Sequence, residues 1–192
     1  ERFLKNTHFQ SPMAKISQEQ TAFDQKEKVM LTQLAVPINI GIPEPERLQI
    51  AQGLERLLAD SFMLYLKTLS FHWNVTGPMF QPLHGVFEQQ YQELQMGIDA
   101  TAERIRALGY PAPGTFQQFS QLASIAETPL TPDAEIMIKL LVEGHETVIR
   151  TARQVMGAAK AADDEVTLSM LTGRIESHEK NAWMLRSFLK PD

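Results

Sequence analysis

Beyond residue 45 the chain falls into stretches whose apolar residues recur every three or four positions, the spacing of a helix with one buried face. The first, residues 46–75, reads "ERLQIAQGLERLLADSFMLYLKTLSFHWNV" and contains Gly53 as its sole breaker before Gly77-Pro78 stops it. A second helix is expected over 79–108, where Phe80, Leu83, Phe87, Tyr91, Leu94, Ile98, Ala102 and Ile105 line one face until "GYPAPGT" ends it. A short helical piece is expected over 116–124. Thr131-Pro132-Asp133 then reads as an N-cap, a proline at the first helical position and an early acid, opening a helix to about residue 160. After "AADDE" a last helix is expected over 166–189. No stretch alternates with the period of two that strands need. The pattern therefore predicts an all-α four-helix bundle over 46–190, with a short extra helix in the connection between the second and third long helices. Residues 1–45 carry Pro12, Pro37, Pro43 and Pro45 and little apolar periodicity, so they read as a tail, extended or partly helical around 16–34.

Composition narrows the class. The 192 residues suffice for one domain with a substantial core, and 43% are hydrophobic without any run long enough to span a bilayer. There is no cysteine, hence no disulfide, thiolate metal site or thiol nucleophile. No basic-then-apolar signal segment is seen at the start, and a cytoplasmic location is expected. The net charge of −5 gives no overall bias toward nucleic acid.

The candidate chemistry lies on the second helix. With His84 at zero and roughly 100° per residue, Glu88 falls near 40°, Asp99 near 60° and Glu103 near 100°. All four occupy one stripe beside the apolar face. Glu88 and Asp99 are about 16 Å apart along the axis, whereas bonds to a metal are near 2 Å. One straight helix cannot bring both pairs to one ion. They serve separate metals, or an antiparallel copy lays His84 and Glu88 against Asp99 and Glu103 of its partner, twice over, about a two-fold axis. His72, before the Gly-Pro turn, can fold back toward His84. Each pair alone is weak, since a helical His-Glu or Asp-Glu pair is more often a solvated face, and Glu103 has Arg104 and Arg106 as neighbours. Imidazole with several carboxylates and no sulfur suits ferrous iron, manganese or zinc. The residues three before His72, His84, His145 and His178 are Leu69, Gln81, Val142 and Ile175, so the Glu-x-x-His pairs of an intra-bundle di-iron site are absent.

"FHWNVTGPMFQPLHGVFEQQY" followed by "DATAERIRALG" closely resembles the Dps family, the DNA-binding proteins from starved cells or mini-ferritins. The resemblance covers about 46–189 and implies a ferritin-like fold. It further implies a dodecameric homo-oligomer that oxidises Fe(II) with hydrogen peroxide or oxygen and stores ferric mineral. The implied di-iron sites lie between subunits, with His72, His84 and Glu88 from one chain and Asp99 and Glu103 from the other. Many relatives have aspartate where this chain has Glu88. Trp73 matches the family's tryptophan beside the site, either a packing aromatic or an electron donor. Asp163, Asp164 and Glu165 match the neighbourhood of a three-fold entry pore, though Ser169 stands where some relatives keep an aspartate, and "ADDE" is equally an ordinary acidic helix start. His145 and His178 match no family ligand and read as structural or surface residues. The alternatives are a DNA-compacting protein with vestigial metal sites and a zinc-binding cage. DNA binding is expected to be weak or absent.

Overall fold

The computed structural model describes residues 37–128 and 131–189. His8 and the expected helical piece at 16–34 lie outside these residues. Five helices form: α1 (Glu44–Asn74), α2 (Phe80–Ala107), α3 (Phe116–Leu122), α4 (Ala134–Ala161) and α5 (Glu165–Arg186), with no strand among the described residues. No described helix is long and apolar enough to cross a membrane.

Several helix ends differ from the expected ones by one to three residues, where caps and tertiary hydrogen bonds set them. α1 starts at Glu44 because proline is tolerated in a first turn, where the missing N–H has no acceptor to lose. Arg47 secures this start by donating from Nε to the Ile42 carbonyl (3.2 Å) and from Nη1 to the Leu108 carbonyl (2.7 Å). Ile40 and the described residues after it belong to one compact unit with the bundle. α3 stops at Leu122 instead of Ser124, because the buried Asp60 carboxylate takes the Ser124 amide at 2.6 Å. Asp133, and not Thr131, caps α4, accepting from the Ile136 amide at 3.0 Å. α5 runs from Glu165, one residue early, to Arg186, short of the expected 189.

α1 packs on α2 and on α4, and α4 packs on α5. The α1–α4 contacts run in opposite order, Gly53 against Val155, Asp60 bonded to Thr151, and Gly144 against Leu64. α1 is thus antiparallel to α4 as well as to α2, so α2 and α4 run the same way. The crossover carrying α3 makes this possible and distinguishes the bundle from an up-down-up-down one. Leu54, Leu58, Phe87, Leu94, Ile138 and Leu141 are at most 1% exposed and fill the centre. Truncating a side chain such as Phe87 to alanine costs about 3–5 kcal/mol at such a site.

Candidate metal centre

A tight turn sets the geometry at one end of the bundle. α1 closes with the Val75 amide on the Phe71 carbonyl (2.9 Å), and Gly77 adopts φ +89°, a left-handed conformation that glycine takes without a Cβ clash. The Phe80 amide then bonds the Gly77 carbonyl (3.0 Å) and α2 returns along α1. This lays the His72 and His84 rings in a stack, centroids 3.8 Å apart and 19° from parallel.

The two histidines fix each other. His72 Nδ1 lies 2.9 Å from the His84 backbone carbonyl, and His84 Nδ1 lies 2.9 Å from the His72 carbonyl. A carbonyl oxygen only accepts, so each Nδ1 carries the proton and donates. This leaves Nε2 of each ring as the nitrogen open to a metal, the arrangement in which a histidine ligates while its other nitrogen is held by a backbone acceptor. Tyr91 meets the His72 ring edge-on at 5.3 Å and Phe80 lies 5.1 Å from the His84 ring, which limits rotation of both. His72 is 9% exposed and His84 is half-buried.

The carboxylates are placed differently. Glu88, Asp99 and Glu103 are all exposed on α2, Glu88 one turn beyond His84 and the other two toward the far end of the helix. Asp99 borders a shallow hollow with Gln95, Met96 and Ala102. The fold thus brings His72 to His84 and leaves Asp99 and Glu103 apart from them. Among the described residues no three His, Asp or Glu side chains converge well enough to hold a metal ion. Trp73, beside His72, is 65% exposed and lines a mostly apolar groove with Met63, Leu66 and Phe71.

The acidic triplet before α5 divides. Asp164 is buried, caps α5 through the Thr167 amide (3.0 Å), and receives Arg104 Nη2 at 2.7 Å on both carboxylate oxygens. Burial alone would raise its carboxyl, but the hydrogen bonds from Arg104 and Thr167 and the Arg104 charge outweigh that and hold it below the usual range. Asp163, at φ +52°, and Glu165 are exposed along a cleft that also includes Glu46.

His145 and His178 are not surface residues. They are 0% and 1% exposed in the bundle interior, with Nδ1 atoms 2.9 Å apart. Their positions could be anticipated from spacing, since His145 lies between Leu141 and Val148 and His178 between Ile175 and Leu185 on buried faces. Burial, followed by the Arg174 charge, lowers His145 to about 3. Burial, His145 and Arg174 push His178 well below its ordinary value.

The sequence matches the ferritin-like domain model over residues 51–191. It is 43% identical over 156 residues to an uncharacterized low temperature-induced protein of a Nostoc species, covering 80% of this chain and 87% of that one. It is 37% identical to DNA protection during starvation protein 2 of Bacillus anthracis, covering 73% of this chain and 97% of the relative. Among solved structures, a Dps protein from Vibrio cholerae superposes with a TM-score of 0.77 at 32% identity, covering 81% of this chain and 99% of that one. It is described as a member of the ferritin-like diiron-carboxylate superfamily.

Proposed function

Because the chain belongs to the Dps family of ferritin-like proteins, we propose that it oxidises ferrous iron at sites shared between two subunits and stores the ferric product inside a homo-oligomeric shell. A dodecamer is the assembly this reading takes. The observation that carries it is the reciprocal clamp between His72 and His84, which leaves two Nε2 lone pairs available at the end of the bundle. A divalent cation needs more donors than these. Glu88 supplies one from the same helix, and the antiparallel α2 of a partner subunit would supply Asp99 and Glu103 where one chain cannot.

The donor set suits ferrous iron as substrate: borderline imidazoles, hard carboxylates and no thiolate. The carboxylates offset cationic charge, and the clamped imidazoles set direction and leave room for an oxidant. Hydrogen peroxide accepts one electron from each of two ferrous ions and takes up two protons. Its O–O bond breaks to give two waters. The chain's own groups act as ligands throughout, and none is needed as a nucleophile. Trp73, adjacent to His72 and 65% exposed, would supply the second electron when a peroxide meets a single ferrous ion, that is, when iron is limiting.

The test is complementation. His84→Ala and Asp99→Ala should each lower the rate of ferrous oxidation at least tenfold. Co-refolded mixtures of the two should regain part of it, because one of the two sites at a mixed interface is then intact. Mixtures that assemble but stay inactive would refute the shared site. In the same assay Trp73→Phe should keep the oxidation rate and release more spin-trapped radical, and unchanged trapping would leave Trp73 with a packing role.

A further inference from the structure

A second cluster of polar side chains, with Gln90, His145 and His178 buried and Glu93 and Arg174 half-buried, lies away from His72 and His84. It comprises Gln90 and Glu93 on α2, His145 on α4, and Arg174 and His178 on α5. Their hydrogen bonds have a fixed direction. Arg174 Nη2 lies 3.0 Å from His178 Nε2, and a guanidinium has no acceptor, so that nitrogen accepts. The neutral His178 ring then carries its proton on Nδ1 and donates to His145 Nδ1 at 2.9 Å. His145 in turn carries its proton on Nε2, directed at Gln90 Oε1, 3.4 Å away. Gln90 Nε2 ends the series as a buried donor with no partner among the described residues. Reversing the direction would require Arg174 to accept, which it cannot do. Both imidazole lone pairs are therefore occupied.

Arg174 has been given unusual room. A Cβ at Gly97 would lie 2.0 Å from Arg174 Cζ and 2.1 and 2.3 Å from its two terminal nitrogens, so the guanidinium rests against bare α2 backbone. The Glu93 carboxylate offsets the Arg174 charge, and Glu93 is held by Asn181 Nδ2 at 2.8 Å. Metal sites of helical bundles are built from inward side chains on facing helices, which is where Glu93 and His178 stand. His178 also has the supporting contact that ligating histidines use, its Nδ1–H being held by His145.

We propose that Arg174 is the resident cation of this cluster and denies it to metal: His178 Nε2 and the Glu93 carboxylate form a divalent-cation site that opens when the guanidinium is removed. Its purpose rests on the function proposed above, since an interior closed to ferrous iron directs that ion to the shared site. Its test does not depend on that function.

Metal-free native protein, Arg174→Met and Arg174→Gln are titrated with Co2+, and bound metal is read by equilibrium dialysis and visible absorption. Each variant should bind about one more Co2+ per chain than the native protein, with imidazole and carboxylate as ligands. Adding His178→Ala should remove that increment, and adding His84→Ala should not. The melting temperature of the variants should rise with Co2+ and fall again with chelator. Equal Co2+ content in native protein and both variants, or an increment indifferent to His178→Ala, overturns the assignment. If the variants assemble poorly, refolding with Co2+ should restore assembly, and failure to do so is equally decisive against it. The shared-site reading fails separately, if His84→Ala leaves the native Co2+ content unchanged.

Discussion

His145 and His178 occupy positions where a positive charge is expensive, His178 touching the Arg174 guanidinium and His145 feeling its charge. Each is held neutral in the folded chain, His145 with a value of about 3, whereas in the unfolded chain each titrates near 6.5. The unfolded state therefore binds more protons over that interval. The stability these two residues contribute is fully present above about 6.5 and is lost as pH falls toward 3. The expected slope is roughly 1 kcal/mol per pH unit for each histidine that must charge on unfolding. Asp164 acts in the same direction but in a lower window, because its lowered carboxyl contributes stability that is lost only as pH drops below the ordinary carboxylate range. Between pH 7 and 5 the histidines can therefore be read apart from it. A His145→Gln/His178→Gln double variant should show a flatter dependence of melting temperature on pH across that interval than the native protein. Parallel curves would mean that the pair does not remain neutral in the fold.

At the scale of elements, the ion pair between Arg104 on α2 and Asp164 at the start of α5 joins two helices that are also linked by Asn181 to Glu93 and by Arg174 against Gly97. Its side chains are 13% and 1% exposed, so removing one partner strands a charge. Asp164→Ala also deletes the α5 N-cap. The expected cost is about 3–5 kcal/mol for the broken buried pair, with about 1 kcal/mol more for the cap. Asp163→Ala and Glu165→Ala, at exposed positions, should stay within about 0.5 kcal/mol. Denaturant midpoints compare the three, and equal effects would show that the triplet acts as one acidic patch. The sequence marked this triplet as a unit, and it could not separate the members because Arg104 is sixty residues away. The same limit runs through the fold. The four long helices were legible because their apolar spacing and the Gly77 and Gly109 breaks are local signals. Two ends depend on distant groups, as the short α3 stops where Asp60 takes the Ser124 amide and the start of α1 is tied by Arg47 to the Leu108 carbonyl. Within the candidate site, the proximity of His72 and His84 followed from a short turn between paired helices. The exchange of Nδ1–carbonyl hydrogen bonds depends on the exact offset of those helices and was not legible. Nor was the direction of the His145–His178 contact, which is set by Arg174 from a third position.

For the whole molecule the question is what the proposed shell would do with DNA. Affinity for duplex DNA comes mainly from cationic side chains that displace counterions condensed on phosphates. Residues 1–43 hold five basic and four acidic side chains, a net of +1, and residues 44–192 hold 13 basic and 19 acidic, a net of −6. Several of the cations are also engaged within the fold. Arg104 is held by Asp164, Arg153 by Glu179 and Arg186 by Glu146. The acids Asp163 and Glu165 remain exposed, as do Glu88, Asp99 and Glu103 wherever a neighbouring subunit does not cover them. In the proposed assembly the charge of −5 per chain would add across the copies. A polyanionic shell is repelled by a polyanion, and raising salt screens the repulsion without creating attraction. The 192-residue chain should therefore give no mobility shift of duplex DNA near pH 7 at physiological salt, and none at low salt. Retention on DNA that weakens steeply with salt would reveal a basic surface that the net charge conceals. Tight retention that persists at physiological salt would sink the prediction.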